Sequence, residues 1–312
     1  MGHRPLAILS IRQARRSTGA ARNVLEQAEY IRRMGYNVRI CAERVDVLRL
    51  KELGIKWFRV PRLPIKGYFR RVFFDWFVRH YVGISKPDLF ISHNDACSDD
   101  ILVIHNCAAL THERIHGSPA SENDELVRFQ QRIFRKSHYR YLIANSEIMK
   151  RDLIARYEME PSRVVVFYQG VDTAQFNTLN HQETRHQGRL MLRLPDQAFM
   201  VGLITSGAFR KRNVRFFLEV AANVWSHLPE MRFVVVGKDR SIESYKTYAR
   251  QLGLMNAVTF APPVDNVQLY YHALDLFVYP ARIEEYGRVV LEALACGTPT
   301  IVGAAVGASE IM

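Results

Sequence analysis

LFVYPARIEEYGRVVLEALACGTPTIVG, from Leu276 to Gly303, reads as a strand, a helix and a second strand. LFVYP and TPTIVG are short runs of the kind buried on both faces of a sheet. Between them Val289, Val290, Leu291, Ala293, Leu294 and Ala295 are apolar around the whole helical circumference, which marks a buried helix. Gly297 followed by Pro299 ends it. Strand, helix and strand in succession imply a parallel sheet.

The alternation extends outward from this stretch. MVGLIT at 200, RFVVVG at 232 and AVTFA at 257 precede it with helical segments between, predicting a doubly wound sheet. An earlier round contains PLAILSI at 5, NVRICA at 37, LFISH at 89, ILVIHN at 101, YLIAN at 141 and VVVFY at 164, with a helix over Ala20 to Met34 closed by Gly35. From Asp172 to Asp196 the chain turns polar, with His181 to Gln187 in succession, and is read as the domain connection. The expectation is α/β, two Rossmann-like domains facing a cleft, 1–170 and 171–312. In open sheets of this class ligands bind beyond the carboxyl ends of the strands, which nominates His93, His105, Asn145, Gly237 and the loop after Pro280.

Composition bounds the function. The 312 residues suffice for two cores, and 48% hydrophobic with 24% charged residues is ordinary globular usage. A net charge of +12 and a pI near 9.7 favour an anionic partner: a phosphorylated ligand, an acidic membrane surface or nucleic acid. The apolar run Pro5 to Ile11, leading into Arg12, Arg15 and Arg16, is too short for a signal peptide or a span, so a cytoplasmic chain is expected. Cys41, Cys97, Cys107 and Cys296 form no CxxC pair and read as buried thiols, with no structural metal expected.

One residue breaks the apolar helix. Glu292 is a carboxylate in a segment that should be buried, where an unpartnered charge costs several kcal/mol. A ribose, with two hydroxyls, would satisfy both its oxygens. The backbone N–H groups of Tyr286, Gly287, Arg288 and Val289 open the helix, and its dipole end suits a diphosphate, with Arg288 adding a full positive charge. Glu284, eight positions ahead of Glu292, is placed to reach the hydroxyls of a sugar on that diphosphate. The alternative is that Glu292 snorkels to solvent and Glu284 is a surface charge.

Taken together, Glu284, Tyr286, Gly287, Glu292, Ala293, Ala295, Cys296, Gly297, Pro299, Gly307 and Glu310 resemble the signature of the retaining family 4 glycosyltransferases of the GT-B fold, of bacterial lipopolysaccharide or surface-glycan type. STGAARNVLEQAEYIRRMGYNV from Ser17 resembles the family's opening glycine loop and first helix, and Ile143 to Phe176 its crossing into the second domain. The resemblance implies an acceptor-binding first domain and a donor-binding second domain. It places Gly19 at the donor phosphates and His105 at the donor sugar. SGAFRKRNVRFFLEV, from Ser206, is similar to the family's basic loop around the diphosphate, implying that Lys211 and Arg212 bind it, although Arg212 and Asn213 stand where the family has Lys-Gly. It also implies transfer from a nucleotide sugar, UDP-linked by family frequency, to a saccharide or lipid-linked saccharide, with retention. No divalent metal and no cofactor are expected, the nucleotide sugar being a substrate.

Lys66 to Gly83 reads as a basic amphipathic helix, with Phe69, Val72, Phe73, Trp76, Phe77 and His80 at helical spacing and Arg70, Arg71 and Arg79 as cationic flanks. It predicts either peripheral contact with an anionic membrane or packing on its own domain. Ending two residues after Glu310, the second domain is expected to be incomplete and the 312-residue chain to have little transferase activity by itself. Other readings are an inactive nucleotide-binding relative, a dinucleotide-dependent oxidoreductase, for which GxGxxG is missing after the first strand, and a nucleic-acid-binding protein, for which no domain motif appears.

Overall fold

The computed structural model describes residues 4–14, 19–193, 195 and 197–312. Arg15, Arg16, Ser17 and Thr18 of the opening loop lie outside the described residues, as does Asp196. The chain divides into two compact units, Met1–Phe167 and Tyr168–Met312, a few residues ahead of the expected boundary.

The first unit contains β1 (Leu6–Ser10), β2 (Gln13–Ala14), α1 (Gly19–Arg33), β3 (Asn37–Ala42), β4 (Arg44–Val45), α2 (Val47–Glu52), β5 (Lys56–Arg59) and α3 (Gly67–Ser85). It continues with β6 (Leu89–His93), β7 (Ile101–Val103), α4 (Ala108–His116), α5 (Glu125–Lys136), β8 (Tyr141–Ala144), α6 (Glu147–Tyr157) and β9 (Val164–Val166). Seven strands form one parallel sheet in the order β5-β3-β1-β6-β7-β8-β9. Ile8, Leu9, Ile40 and Leu102 on its central strands are fully buried, each worth about 1.5–3 kcal/mol of hydrophobic stabilisation. Strand order reverses between β1 and β6, so the loops leaving these strands part and leave a crevice beyond their carboxyl ends. Gly19 and His93 sit there.

The second unit contains α7 (His181–Met191), β10 (Met200–Ile204), α8 (Val214–His227), β11 (Arg232–Val236), α9 (Ile242–Gln251) and β12 (Val258–Ala261), then α10 (Gln268–Ala273), β13 (Leu276–Tyr279), α11 (Arg288–Ala295) and β14 (Thr300–Val302). Its five parallel strands run β12-β11-β10-β13-β14, reversing between β10 and β13. The loops after β10 and β13 carry Lys211 and Arg212, and Glu284 to Gly287, respectively.

Two expectations need correcting. The polar segment 172–196 is not simply a connection, because α7 within it packs into the second unit. Arg189 is 1% exposed and donates to Asp275 Oδ2 at 2.9 Å, while Arg185 donates to the other carboxylate oxygen at 2.6 Å. Arg189 is buried and Arg185 half-buried, so the helix meets its unit through ion-paired polar side chains and carries no apolar stripe by which to recognise it. In α3, Arg70 and Arg71 are not free cationic flanks. Arg70 makes a two-point ion pair with the buried Glu43, and Arg71 pairs with Asp95 at 3.3 Å. Phe74 and Val78 face the core, while Phe69 (72% exposed) and Trp76 (58%) face outward. Among the described residues no helix is long and apolar enough to cross a membrane. All four cysteines are buried, and burial pushes the Cys41, Cys97 and Cys296 thiols up to about 12.

Candidate donor site

In the second unit three loops are tied together at the point where strand order reverses. The Arg282 N–H donates to the Lys211 carbonyl at 3.0 Å, joining the loops after β10 and β13. Glu284 N–H donates to Ala305, Gly307 N–H to Glu284 and Ala308 N–H to Tyr286, at 3.0, 2.9 and 2.7 Å, so the glycine loop after β14 clamps the other side. Gly287 caps α11 at φ +95°, a left-handed conformation that L side chains resist, and a Cβ there would meet Val306 Cγ1 at 3.0 Å. A glycine cap supplies no side-chain acceptor to the first turn of α11, which keeps the helix entrance suited to an external anion.

Charges crowd this entrance. Arg212 forms an ion pair with Glu284, whose Oε2 also accepts from the Tyr279 hydroxyl at 3.1 Å. Lys211 pairs with the buried Glu285 at 2.5 Å. Burial opposes the Arg212 charge, but Tyr279, Glu284 and Glu285 outweigh it and the net shift is upward. Arg212 is therefore a firmly fixed cation. Asn213 caps α8 at φ +58°. Asparagine tolerates this left-handed backbone best among the non-glycine residues, so it can stand where the resemblance implies glycine.

Glu292, 2% exposed, lies on the buried face of α11 and does not snorkel to solvent. Its Oε2 accepts from the Tyr271 hydroxyl at 2.8 Å. Burial first, and the neighbouring carboxylate second, raise the Tyr271 pKa well above its ordinary value, so the tyrosine remains a donor. A protein group thus already satisfies part of the carboxylate that was expected to wait for a ribose. Arg288 is buried at 9% exposure. The Tyr286 side chain serves as a bracket: its hydroxyl donates to the Gln169 carbonyl at 2.6 Å and its ring lies 6.1 Å from that of Tyr168. Only its backbone stands at the helix entrance.

The first unit brings together other expected residues. His93 ends β6, His105 follows β7, and His93 Nδ1 lies 2.9 Å from His105 Nε2. Beside them the Asn94 amide donates to Asn106 Oδ1 at 2.7 Å, and Gln130 donates to the Asn106 carbonyl at 2.6 Å. Gly19 opens α1 with nothing within 4 Å of where a Cβ would stand.

The family assignment comes from comparison with known proteins. A model described as Glycosyltransferase Family 4 matches residues 17–175, just over half of the chain, and one described as Glycosyl transferases group 1 matches residues 201–312. The chain belongs to glycosyltransferase family 4. The family assignment displaces the oxidoreductase alternative.

This family 4 chain is 36% identical over 181 residues to a D-inositol 3-phosphate glycosyltransferase of Salinispora arenicola. The match covers 53% of the chain and 40% of that relative, so the chain spans less than half of the relative's length. In fold it is similar to WaaG, a glycosyltransferase involved in lipopolysaccharide biosynthesis, with TM-score 0.81, 18% identity and coverage of 98% of this chain and 83% of WaaG. It is also similar to Anabaena HepE in complex with UDP and glucose, with TM-score 0.75, 19% identity and coverage of 99% and 83%. These likenesses show the GT-B fold.

Three residues in contact with the candidate site escaped the sequence reading: Tyr271, Tyr279 and Glu285. Tyr271 stands 21 positions before Glu292, at no helical or strand spacing from it. For Glu285 the signal was the adjacent pair Glu284-Glu285, one of which had to face a different cation.

Proposed function

We propose that the chain transfers a glycosyl group from a UDP-linked sugar to a saccharide or lipid-linked saccharide acceptor, with retention, in lipopolysaccharide-core or surface-glycan assembly. The observation that carries this reading is the convergence of Lys211, Arg212, Glu284 and the glycine-capped start of α11 on the switch point of the second unit, with Glu292 beyond them on the same helix. The diphosphate sits at the α11 entrance, Glu292 holds the ribose and Glu284 contacts the sugar; the family resemblance assigns a sugar contact to His105 as well. HepE, whose structure holds UDP and glucose, supports the choice of UDP.

In the reaction the bond between the sugar C1 and the diphosphate oxygen breaks, and its electron pair stays on the diphosphate. The acceptor oxygen bonds to C1 on the same face, and its proton passes to the departing diphosphate without a committed enzyme base. The transition state is oxocarbenium-like. Negative charge growing on the diphosphate meets Arg212, Lys211, Arg288 and the helix dipole, fixed donors in a partly dry site. We assign that stabilisation to these groups rather than to a divalent cation.

The test is calorimetric titration of UDP and UDP-glucose, with and without chelator, and NMR of any glycoside formed. Binding of both that ignores the chelator, with an α-linked product, supports the reading. Chelator-sensitive binding would overturn the metal-free part, a β-linked product the retention, and absence of nucleotide binding the whole.

We also propose peripheral contact with an anionic membrane through α3 and the preceding loop. Phe69, Trp76 and Ile84 are exposed, as are Arg59, Arg62, Lys66 and Arg79, which replace Arg70 and Arg71 as the cations of this surface. Each lysine or arginine near such a surface is worth about 1 kcal/mol.

A further inference from the structure

At the carboxyl ends of β1, β3 and β6, all within the first unit, three arginines converge on two carboxylates. Arg12 follows β1, Glu43 follows β3, Asp95 follows β6, and Arg70 and Arg71 reach in from α3. Glu43 is engaged by Arg70, whose Nε and Nη2 both donate to it. Asp95 is left to serve two cations. Arg71 Nη1 approaches its Oδ1 at 3.3 Å and Arg12 Nε the same oxygen at 3.5 Å, while Oδ2 accepts from the Arg12 backbone N–H at 3.0 Å.

Both side-chain contacts are long beside a charge-assisted hydrogen bond, which closes to about 2.7–2.9 Å. Arg12 Nε is buried and makes no hydrogen bond among the described residues. Neither arginine is loosely held. The Arg12 carbonyl accepts from the backbone of Glu43 and Arg44 at 3.0 and 3.3 Å, and the Arg71 guanidinium lies over the Phe129 ring, 5.6 Å from its centroid. Their side chains are only 18% and 23% exposed.

Two half-buried guanidiniums beside one carboxylate repel each other. Burial first and Arg12 second hold the Arg71 pKa below its ordinary value, against the opposing pull of Asp95, Glu125 and Glu43. Glu125 does not restore the balance, because it is exposed and its carboxylate lies over the start of α3 beside Gly67. Arginine does not relieve such repulsion by losing its proton, so relief comes from an anion. A carboxylate has two oxygens and fills one guanidinium fork, whereas a phosphate monoester has three free oxygens and takes N–H groups from two forks at once.

We propose that Arg12 and Arg71 form an anion subsite for a phosphate ester, and that the acceptor saccharide carries this group, on the sugar or in its lipid linkage. This rests on the reading that the first unit takes the acceptor. Asp95 orients both guanidiniums and competes with the phosphate for them. The subsite selects phosphorylated acceptors over plain ones.

The test is calorimetric titration of the full chain with glucose 6-phosphate, glucose and UDP. Glucose 6-phosphate should bind at least about tenfold more tightly than glucose, and Arg12→Gln or Arg71→Gln should remove that advantage while leaving UDP affinity unchanged. Asp95→Asn still accepts from the Arg12 backbone N–H but withdraws the competing charge, so it should tighten glucose 6-phosphate several-fold. A gain in affinity does not arise from misfolding, so this variant decides the matter even where an arginine variant fails to fold. Phosphatidylcholine vesicles containing phosphatidic acid represent the lipid-borne group; binding of either probe that depends on Arg12 supports the subsite and identifies the source. Glucose 6-phosphate that binds no better than glucose, together with vesicle binding indifferent to Arg12, overturns the subsite, as does Asp95→Asn that fails to tighten the probe the wild type binds. Phosphate binding that follows Arg12 and Asp95 but is displaced by UDP would instead overturn its assignment to the acceptor.

Discussion

At the scale of single residues, the ion pairs at the candidate site make Glu284 and Glu292 different kinds of target. Glu284 holds Arg212, which is mostly buried, so Glu284→Ala would leave that cation short of its partner at a cost of about 2 kcal/mol. Glu284→Gln keeps an acceptor for the Tyr279 hydroxyl and removes only the charge. It is expected to retain or tighten UDP, since Arg212 is released toward the diphosphate, and to weaken UDP-glucose, as titration of the two ligands will show. Tyr271→Phe deletes the hydroxyl bonded to Glu292 and should cost about 1.5–3 kcal/mol in urea unfolding, the worth of a hydrogen bond to a charged group. The sequence singled out Glu292 because a carboxylate in an apolar helix demands an explanation. It gave no hint of Tyr271, because a contact between α10 and α11 is a property of the fold and leaves no periodic trace.

At the scale of elements, three glycines report different constraints. Gly188 lets α7 pack against α10, since a Cβ there would lie 2.0 Å from the Leu269 carbonyl oxygen. Gly188→Ala must shift a backbone, and a loss of about 3 kcal/mol of unfolding free energy is expected, read as a lowered urea midpoint. Gly19→Ala meets open space and should leave stability unchanged or raised by up to about 1 kcal/mol, as urea unfolding will show. Gly287→Ala should weaken UDP, because a strained left-handed backbone and the contact with Val306 displace the entrance of α11. The strands of both sheets were legible because buried parallel strands are continuous apolar runs. Strand β5 was not, since Lys56 and Arg59 at its ends are exposed and it lies at the sheet edge. The inward turn of Arg70 and Arg71 was equally hidden, as helical spacing shows a face but not the carboxylates Glu43 and Asp95 opposite it.

At the scale of the whole molecule, charge and proton linkage set the behaviour. Sedimentation with anionic vesicles should detect binding that Arg62→Glu with Lys66→Glu abolishes; binding indifferent to lipid charge would contradict the surface assigned to α3. Burial first, and then His105 beside His93 and His181 at 2.7 Å from His272, depress the pKa of both His93 and His272 below 6.5. The unfolded chain therefore binds these protons more readily, so stability is unaffected above the unfolded value and falls as pH drops below about 6.5. Urea midpoints measured from pH 7.5 to 5.5 should decline through this window, and His272→Gln should flatten the slope. The central claim concerns the nucleotide, and its most direct test is calorimetric titration of UDP into the wild type and into folded Glu292→Gln. Replacing a charged acceptor by a neutral one should weaken the ribose hydrogen bonds by about 1.4 kcal/mol or more, a loss of UDP affinity of at least about tenfold. Equal UDP affinity in the two proteins would contradict the claim that Glu292 holds the ribose at the entrance of the second unit.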